Sequence, residues 1–113
     1  MKIDELMIGN YVKYRGQIEQ TVNKTVQLSK LYQPILLTDQ WLLDFDFKRA
    51  EGEKDWFSIK TEIPFINLEI SMKEKRCILF NRKKIIYTDI FFPKYVHNVQ
   101  NLYFALTRKK LTR

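Results

Sequence analysis

The 113 residues include one cysteine, one histidine, three glycines and three prolines. The lone Cys77 excludes an intrachain disulfide, and with the lone His97 it excludes any Cys/His set of zinc-binding spacing. The glycines stand apart at Gly9, Gly16 and Gly52, so neither glycine-rich phosphate loop is present. So little Gly and Pro leaves no room for a low-complexity linker. No apolar run approaches the roughly 20 residues that span a bilayer. The opening "MKIDELMIGN" has Asp4 and Glu5 where a secretory leader would carry its apolar stretch. Acids are also scarce late in the chain, where only Glu74 and Asp89 follow Ser71. From these absences we expect a protein of a reducing cytoplasm, with no cofactor, no metal and no membrane partner.

What is present suits one ordered domain spanning residues 1–113. Apolar residues make up 45% of the chain, with eight Phe, six Tyr and two Trp, enough to bury a single core. Charge is lopsided. Residues 1–56 carry eight Lys/Arg against nine Asp/Glu, whereas residues 57–113 carry twelve against four. A net charge of +7 distributed in this way points to an anionic partner: nucleic acid, a membrane surface or an acidic protein face.

Hydrophobic alternation predicts strands at 8–14, 17–22 and 25–29, broken at Arg15-Gly16 and Asn23-Lys24. Pro34 ends that extended run. Thr38 then offers an N-cap and Asp39 suits the first turn of a short helix. On that helix Trp41, Leu42 and Phe45 share a face. Strands are expected again at 47–50, 56–61, 66–70, 76–80 and 85–90, with "EGEKD" and "NRKK" as polar turns. Within 66–70, Ile66, Leu68 and Ile70 should face one way and Asn67 and Glu69 the other. A longer helix follows Pro93, over "KYVHNVQNLYFALTRKKL" (94–111). The expected fold is α+β: a mostly antiparallel sheet of about seven or eight short strands, one short middle helix, and a C-terminal helix packed on the sheet.

The last helix has two faces at 100° per residue. Tyr95, Val99, Leu102 and Leu106 form a core stripe, with Val96 and Tyr103 on its shoulder. The opposite sector holds His97, Asn101, Phe104 and Arg108, which suits a recognition surface. The same row is also what a helix would show if Phe104 packed under a loop or the N-terminal strands and His97 bonded a backbone carbonyl. Three basic clusters stand out: Lys73/Lys75/Arg76, Arg82/Lys83/Lys84, and Arg108/Lys109/Lys110 with Arg113. The first two should lie at opposite ends of one strand. Such clusters hold phosphates, and Tyr87, Phe91 and Phe92 would add stacking to unpaired bases. Equally, charged turns and chain ends are commonly just solvated, and Lys protects strand edges. No catalytic constellation is evident. Cys77 reads as a small inward-packed hydrophobe, Asp44 and Asp46 diverge on their helix, and we expect no enzyme.

Three stretches together carry a resemblance: "DELMIGNYV" (4–12), "PILLTDQWLLDFDF" (34–47) and "KYVHNVQNLYFALT" (94–107). They resemble a group of small, mostly uncharacterised proteins of Bacteroidetes genomes, their phages and mobile elements. Those proteins open with IGN-(Y/W)-V, carry LT-x-x-WL-x-x-FGF, and end close to KYVH-x-(L/V)-QNLYFALTGEEL. The likeness covers about a third of the chain and brings no catalytic residues. Asp46 stands where those proteins usually have Gly, implying that the corner after the first helix is made differently. "RKKLTR" replaces an acidic "GEEL", which reverses the charge at the helix end and implies a changed partner. The resemblance, with the small size and basic charge, implies a phage or mobile-element inhibitor of a bacterial defence system. Its most concrete form is similar to the type VI-B anti-CRISPR, which blocks a Cas13b-type RNA-guided RNase. The expected partner is then a host RNA-guided nuclease or its ribonucleoprotein, with direct RNA contact open. A stand-alone RNA- or DNA-binding module and a structural or accessory phage protein are the alternatives.

Overall fold

The computed structural model describes residues 6–14, 16–20, 32–50 and 55–113. The strand expected at 25–29, the Asn23-Lys24 turn and most of "EGEKD" lie outside these residues. The described residues form eight strands and two helices, an α+β arrangement dominated by antiparallel sheet. The chain divides into two compact units. One comprises Met1–Leu37 with Pro93–Thr112, the other Thr38–Phe92 with Arg113.

In the first unit β1 (Tyr11–Tyr14) pairs antiparallel with β2 (Gln17–Gln20) and with β3 (Tyr32–Gln33), giving the order β2-β1-β3. Gly16, at φ 81, makes the tight link between β1 and β2. Residues 35–37 run antiparallel to 94–96. Leu36 bridges Tyr95, Leu37 N donates to Lys94 O at 3.0 Å, and Val96 N donates to Ile35 O at 2.8 Å. The C-terminal helix follows at once and spans Val96–Thr107, shorter than the expected 94–111. Two local features stop it. The Thr107 hydroxyl donates back to Tyr103 O at 2.8 Å and accepts from Lys109 N at 3.0 Å. Arg108 takes a left-handed backbone at φ 61, with its N–H on Phe104 O.

In the second unit the middle helix, α1 (Asp39–Asp44), starts where Thr38 caps it, the hydroxyl accepting from Trp41 N at 3.4 Å; the Val96–Thr107 helix is α2. Trp41, Leu42 and Phe45 are all buried, as their spacing requires. The helix ends in a Schellman corner. Phe47 N donates to Leu42 O and Asp46 N to Leu43 O, both at 3.0 Å, with Asp46 at φ 70 and Leu42 and Phe47 buried. Asp46 takes the same left-handed conformation that a glycine supplies, because Asp is one of the few L-residues that tolerate it.

The chain then folds into a five-stranded antiparallel meander: β4 (Lys48–Arg49), β5 (Trp56–Lys60), β6 (Ile66–Ser71), β7 (Arg76–Asn81) and β8 (Ile86–Ile90), paired in that order. Register fixes the faces, since residues opposite one another share a side. Phe57, Ile70, Cys77 and Ile90 align across four strands, and Leu68 lies on the same face opposite Ile59 and Leu79. Phe57, Leu68, Ile70 and Cys77 are buried at 0–1% exposure. The alternation expected in 66–70 is therefore present.

Ile85, expected as the first residue of the last strand, instead ends the turn before it. The Asn81 side chain accepts from Lys83 N and Lys84 N at 3.0 Å, and Ile85 N donates to Asn81 O at 2.9 Å. This winds the chain so that Ile85 has φ 54 while remaining 76% exposed. A β-branched residue in the left-handed region is strained by about 1–2 kcal/mol. Replacing Ile85 with Gly or Asn is expected to raise stability by about 1 kcal/mol, read as a higher urea midpoint at unchanged slope.

Candidate functional site

The proposed recognition row on α2 does not survive folding. His97 and Asn101 are buried, at 6% and 1% exposure, and Phe104 is half-buried. The His97 ring stacks on Tyr95, with centroids 5.8 Å apart and planes at 7°. Asn101 Oδ1 accepts from Asn10 Nδ2 at 3.0 Å, while Asn10 Oδ1 accepts from Met7 N. Gln100 completes the set. Its Oε1 accepts from Tyr11 N at 2.9 Å, and its Nε2 donates to Gly9 O at 3.1 Å and Leu111 O at 2.9 Å. The helix thus uses a polar face to hold β1 and the chain end, so its buried surface is wider than the Val99/Leu102 stripe. Leu106 and Tyr95, assigned to that stripe, are only half-buried.

Phe104 lines a small cleft with Met7, Ile8 and Lys110, on the side of the N-terminal segment. The cleft encloses about 220 Å³, open mouth included, below the roughly 300–1,000 Å³ of small-molecule sites. Gly9 sits at its edge with φ 98, where a Cβ would lie 3.4 Å from Lys110 Cδ. Arg108, Lys109 and Lys110 are exposed, and the Arg108 guanidinium lies 5.9 Å from the Phe104 ring.

The other two basic clusters occupy turns at opposite ends of β7, as expected. Lys73 and Lys75 belong to the β6–β7 turn; Arg82, Lys83 and Lys84 belong to the β7–β8 turn. A six-residue strand separates them, roughly 20 Å, so they form two rims and not one patch. The fold also redistributes the charge imbalance seen along the sequence. Residues 38–92 carry ten Lys/Arg and ten Asp/Glu, and the excess lies in residues 1–37 with 93–112, which carry nine against three.

Between the two rims lies the open face of the meander. Trp56, Ser58 and Lys60 of β5 share it with Asn67 and Glu69 of β6, Arg76, Ile78 and Phe80 of β7, and Tyr87 and Asp89 of β8. Trp56, Arg76 and Phe80 are half-exposed, and Lys60 and Tyr87 are exposed, whereas Ile78 and Ser71 on the same face are buried. Arg76 organises the cluster. Its guanidinium lies 5.6 Å from both the Trp56 and Tyr87 ring centroids, and it forms a salt bridge with Asp89 at 2.9 Å. Hydrogen bonds to Asp89 and Tyr87 raise its pKa above the ordinary arginine value. Sequence reasoning singles out Arg76 and Tyr87 but not Trp56 or Phe80. The alternation in 56–61 and 76–80 puts both on the side opposite Phe57 and Cys77, and that is the signal that could have found them. Phe91 and Phe92 lie beyond β8, and Lys75 Nζ sits 5.6 Å from the Phe92 ring.

Cys77 is fully buried, and desolvation pushes its thiol up to about 12. The neighbouring cations therefore do not activate it. Among the described residues no group of three or more His, Cys, Asp or Glu could hold a metal ion, and no helix is long and apolar enough to cross a membrane. Compared with protein-family models, curated proteins and solved structures, the chain matches none.

Two outcomes follow. Gln100→Ala leaves the buried Tyr11 N–H without its acceptor and is expected to cost about 1–3 kcal/mol, read by thermal or urea unfolding. Cys77 is expected to resist a thiol reagent at neutral pH in the native state and to react once guanidinium unfolds the chain. Because its folded pKa lies above the unfolded 9.0, the folded state holds the thiol proton more tightly between about pH 9 and 12. Its contribution to stability falls as pH rises through that window.

Proposed function

We propose that this protein acts by binding and not by catalysis, and that its target is RNA held against the open face of the five-stranded meander. The observation that carries this reading is the set of three aromatic rings, half-exposed Trp56 and Phe80 and exposed Tyr87, on one side of a sheet whose two ends carry basic turns. Rings on a sheet stack unpaired bases whatever their sequence, and cations at the rims neutralise phosphates. Lys60 adds charge within the face. Arg76 serves less as a phosphate contact than as a post that fixes the Trp56 and Tyr87 rings, since Asp89 already occupies its guanidinium. Pre-ordered rings lose little conformational freedom when a base docks.

The resemblance of residues 4–12, 34–47 and 94–107 to phage and mobile-element proteins favours a biological form of this activity. In that form the protein works in the cytoplasm of a bacterial host as an inhibitor of an RNA-guided RNase, engaging the guide RNA or the ribonucleoprotein that contains it. A Cas13b-type nuclease is the most concrete candidate.

Fluorescence anisotropy with a labelled single-stranded RNA tests the proposal. Binding is expected at about 50 mM salt, with log affinity falling linearly against log salt. Tyr87→Ala should weaken it by about 1–3 kcal/mol, the worth of one stacked base. Arg82, Lys83 and Lys84 changed together to Ala should lower the salt slope by about 0.7 for each phosphate no longer neutralised. An RNA that stays free at low salt would sink the reading, as would binding indifferent to Tyr87→Ala and Trp56→Ala together.

A further inference from the structure

The end of the meander where the β5–β6 and β7–β8 turns meet carries a second surface, different in kind from the open face. Ile63 and Phe65 on the first turn are each 48% exposed, and Ile85 at the end of the second and Ile86 at the start of β8 are 76% and 58% exposed. Two of these residues also hold unfavourable backbone, Phe65 at φ 67 and Ile85 at φ 54. A protein that needed only a chain reversal here would place Gly or Asn at both positions and expose no aliphatic side chain. The fold instead bears strain at two adjacent sites, and the result is bulky apolar groups in water. Such strain commonly marks a site of function.

The turns are also rigid. Arg82 N donates to Phe65 O at 2.8 Å, locking one to the other. The Thr61 hydroxyl donates to Ile66 O at 2.8 Å and accepts from Ile63 N at 3.2 Å. The cations are interleaved with the apolar groups. Arg82 and Lys83 lie 5.8 and 5.4 Å from the Phe65 ring centroid, and Lys84 adjoins Ile85. Glu62 is the one acid within residues 61–65 and 82–86.

From this juxtaposition we propose that the tip formed by the two turns docks on an anionic lipid surface, with Ile85, Ile63 and Phe65 entering the interface and Arg82, Lys83 and Lys84 meeting the headgroups. Charge complementarity favours this occupant, since three consecutive cations flank the apolar apex. The apolar groups also distinguish it from nucleic acid, because Ile63 and Ile85 offer no face for stacking a base and the one ring, Phe65, already has the Arg82 and Lys83 cations over it. They crown two convex turns, and a lipid interface accepts a convex apex without a matching pocket. Long basic side chains beside them can keep their charges at headgroup level while their stems lie along the apolar surface.

The test is flotation with vesicles of phosphatidylcholine alone and of phosphatidylcholine mixed with phosphatidylserine. The protein is expected to float with the mixed vesicles, not with the neutral ones, and to be released by salt. Reversing Arg82, Lys83 and Lys84 to Glu should weaken partitioning by at least on the order of a hundredfold. Ile85→Asn with Phe65→Asn should weaken it severalfold or more at unchanged charge. Asn is at ease in the left-handed region, so these variants relieve strain, and a circular dichroism melt at or above that of the parent separates a docking defect from a folding defect. Three results would overturn the proposal: no flotation with the mixed vesicles; flotation unaffected by the two Asn substitutions, which would make the attraction purely electrostatic; or lipid-free self-association that those substitutions abolish, which would make a second copy the occupant.

Discussion

One side-chain amide holds the first unit together. Gln100 sits on α2, yet its three hydrogen bonds go to Gly9, Tyr11 and Leu111. Its carbonyl and both N–H donors are used, so at 4% exposure it carries no unmet polar group. A residue apolar in shape could fill the same space, but it would take the Gln100 acceptor from the buried Tyr11 N–H and the Gln100 donor from Leu111 O, and leave Gly9 O with the Gln20 side chain. The Asn10–Asn101 bond one helical position on does the same for the loop before β1. Strand, helix and tail therefore close on one another through specific geometry as well as through the burial of Val12, Val96, Val99 and Leu102. Partly satisfied, such a network would be worse than none.

The polarity of that seam explains why the helix was the least legible element. A periodicity argument sorts residues by hydrophobicity, so it placed Asn101 and His97 on the solvent side and Leu106 in the core. Nothing in the spacing says that a backbone N–H of residue 11 will need an acceptor from residue 100. The local signals were legible because their partners lie within a few residues. Thr38 caps the helix three residues on, Trp41, Leu42 and Phe45 bury one face, and the alternation in 66–70 sets the sides of β6. The meander could also be read in outline, since its strands follow one another and its turns are short. Its open face could not, because the grouping of Trp56, Arg76 and Tyr87 depends on register across three strands that are not all neighbours.

Charge shows the same division. Counted along the sequence, the cations crowd the second half. Counted by compact unit, residues 38–92 balance because Asp39, Asp44 and Asp46 of α1 and its corner offset the cations of the meander, and most of the excess belongs to the unit that contains the C-terminal helix. An electrostatic argument built on the whole-chain value would have made the meander a diffuse positive body. Its potential comes instead from placement: cations at two turns about a strand length apart, Lys73 paired with Asp55 and Arg76 with Asp89, and Glu69 and Asp89 on the face between. A polymer that lays phosphates near both rims and bases between them meets attraction at its charges and rings at its bases, whereas a compact anion would meet only one rim.

The scarcity of glycine, the first thing the sequence offers, returns as a structural constraint. Among the described residues Gly9 and Gly16 supply positive φ, but Asp46, Phe65, Lys75, Ile85 and Arg108 adopt it as well. These five positions divide by what the residue type costs and what it supplies. Asp46 tolerates the conformation and completes a helix corner, so little is lost. Lys75 and Arg108 keep a charge at a turn and at a helix end, where glycine would be more stable but neutral. Phe65 and Ile85 neither tolerate the conformation nor gain burial from it. Each costs about 1–2 kcal/mol in a protein whose whole stability is of the order of 5–15 kcal/mol. A chain that carries both on adjoining turns, with cations between them, has kept side-chain identity over backbone ease, and that choice is what sets the tip apart from an ordinary pair of turns.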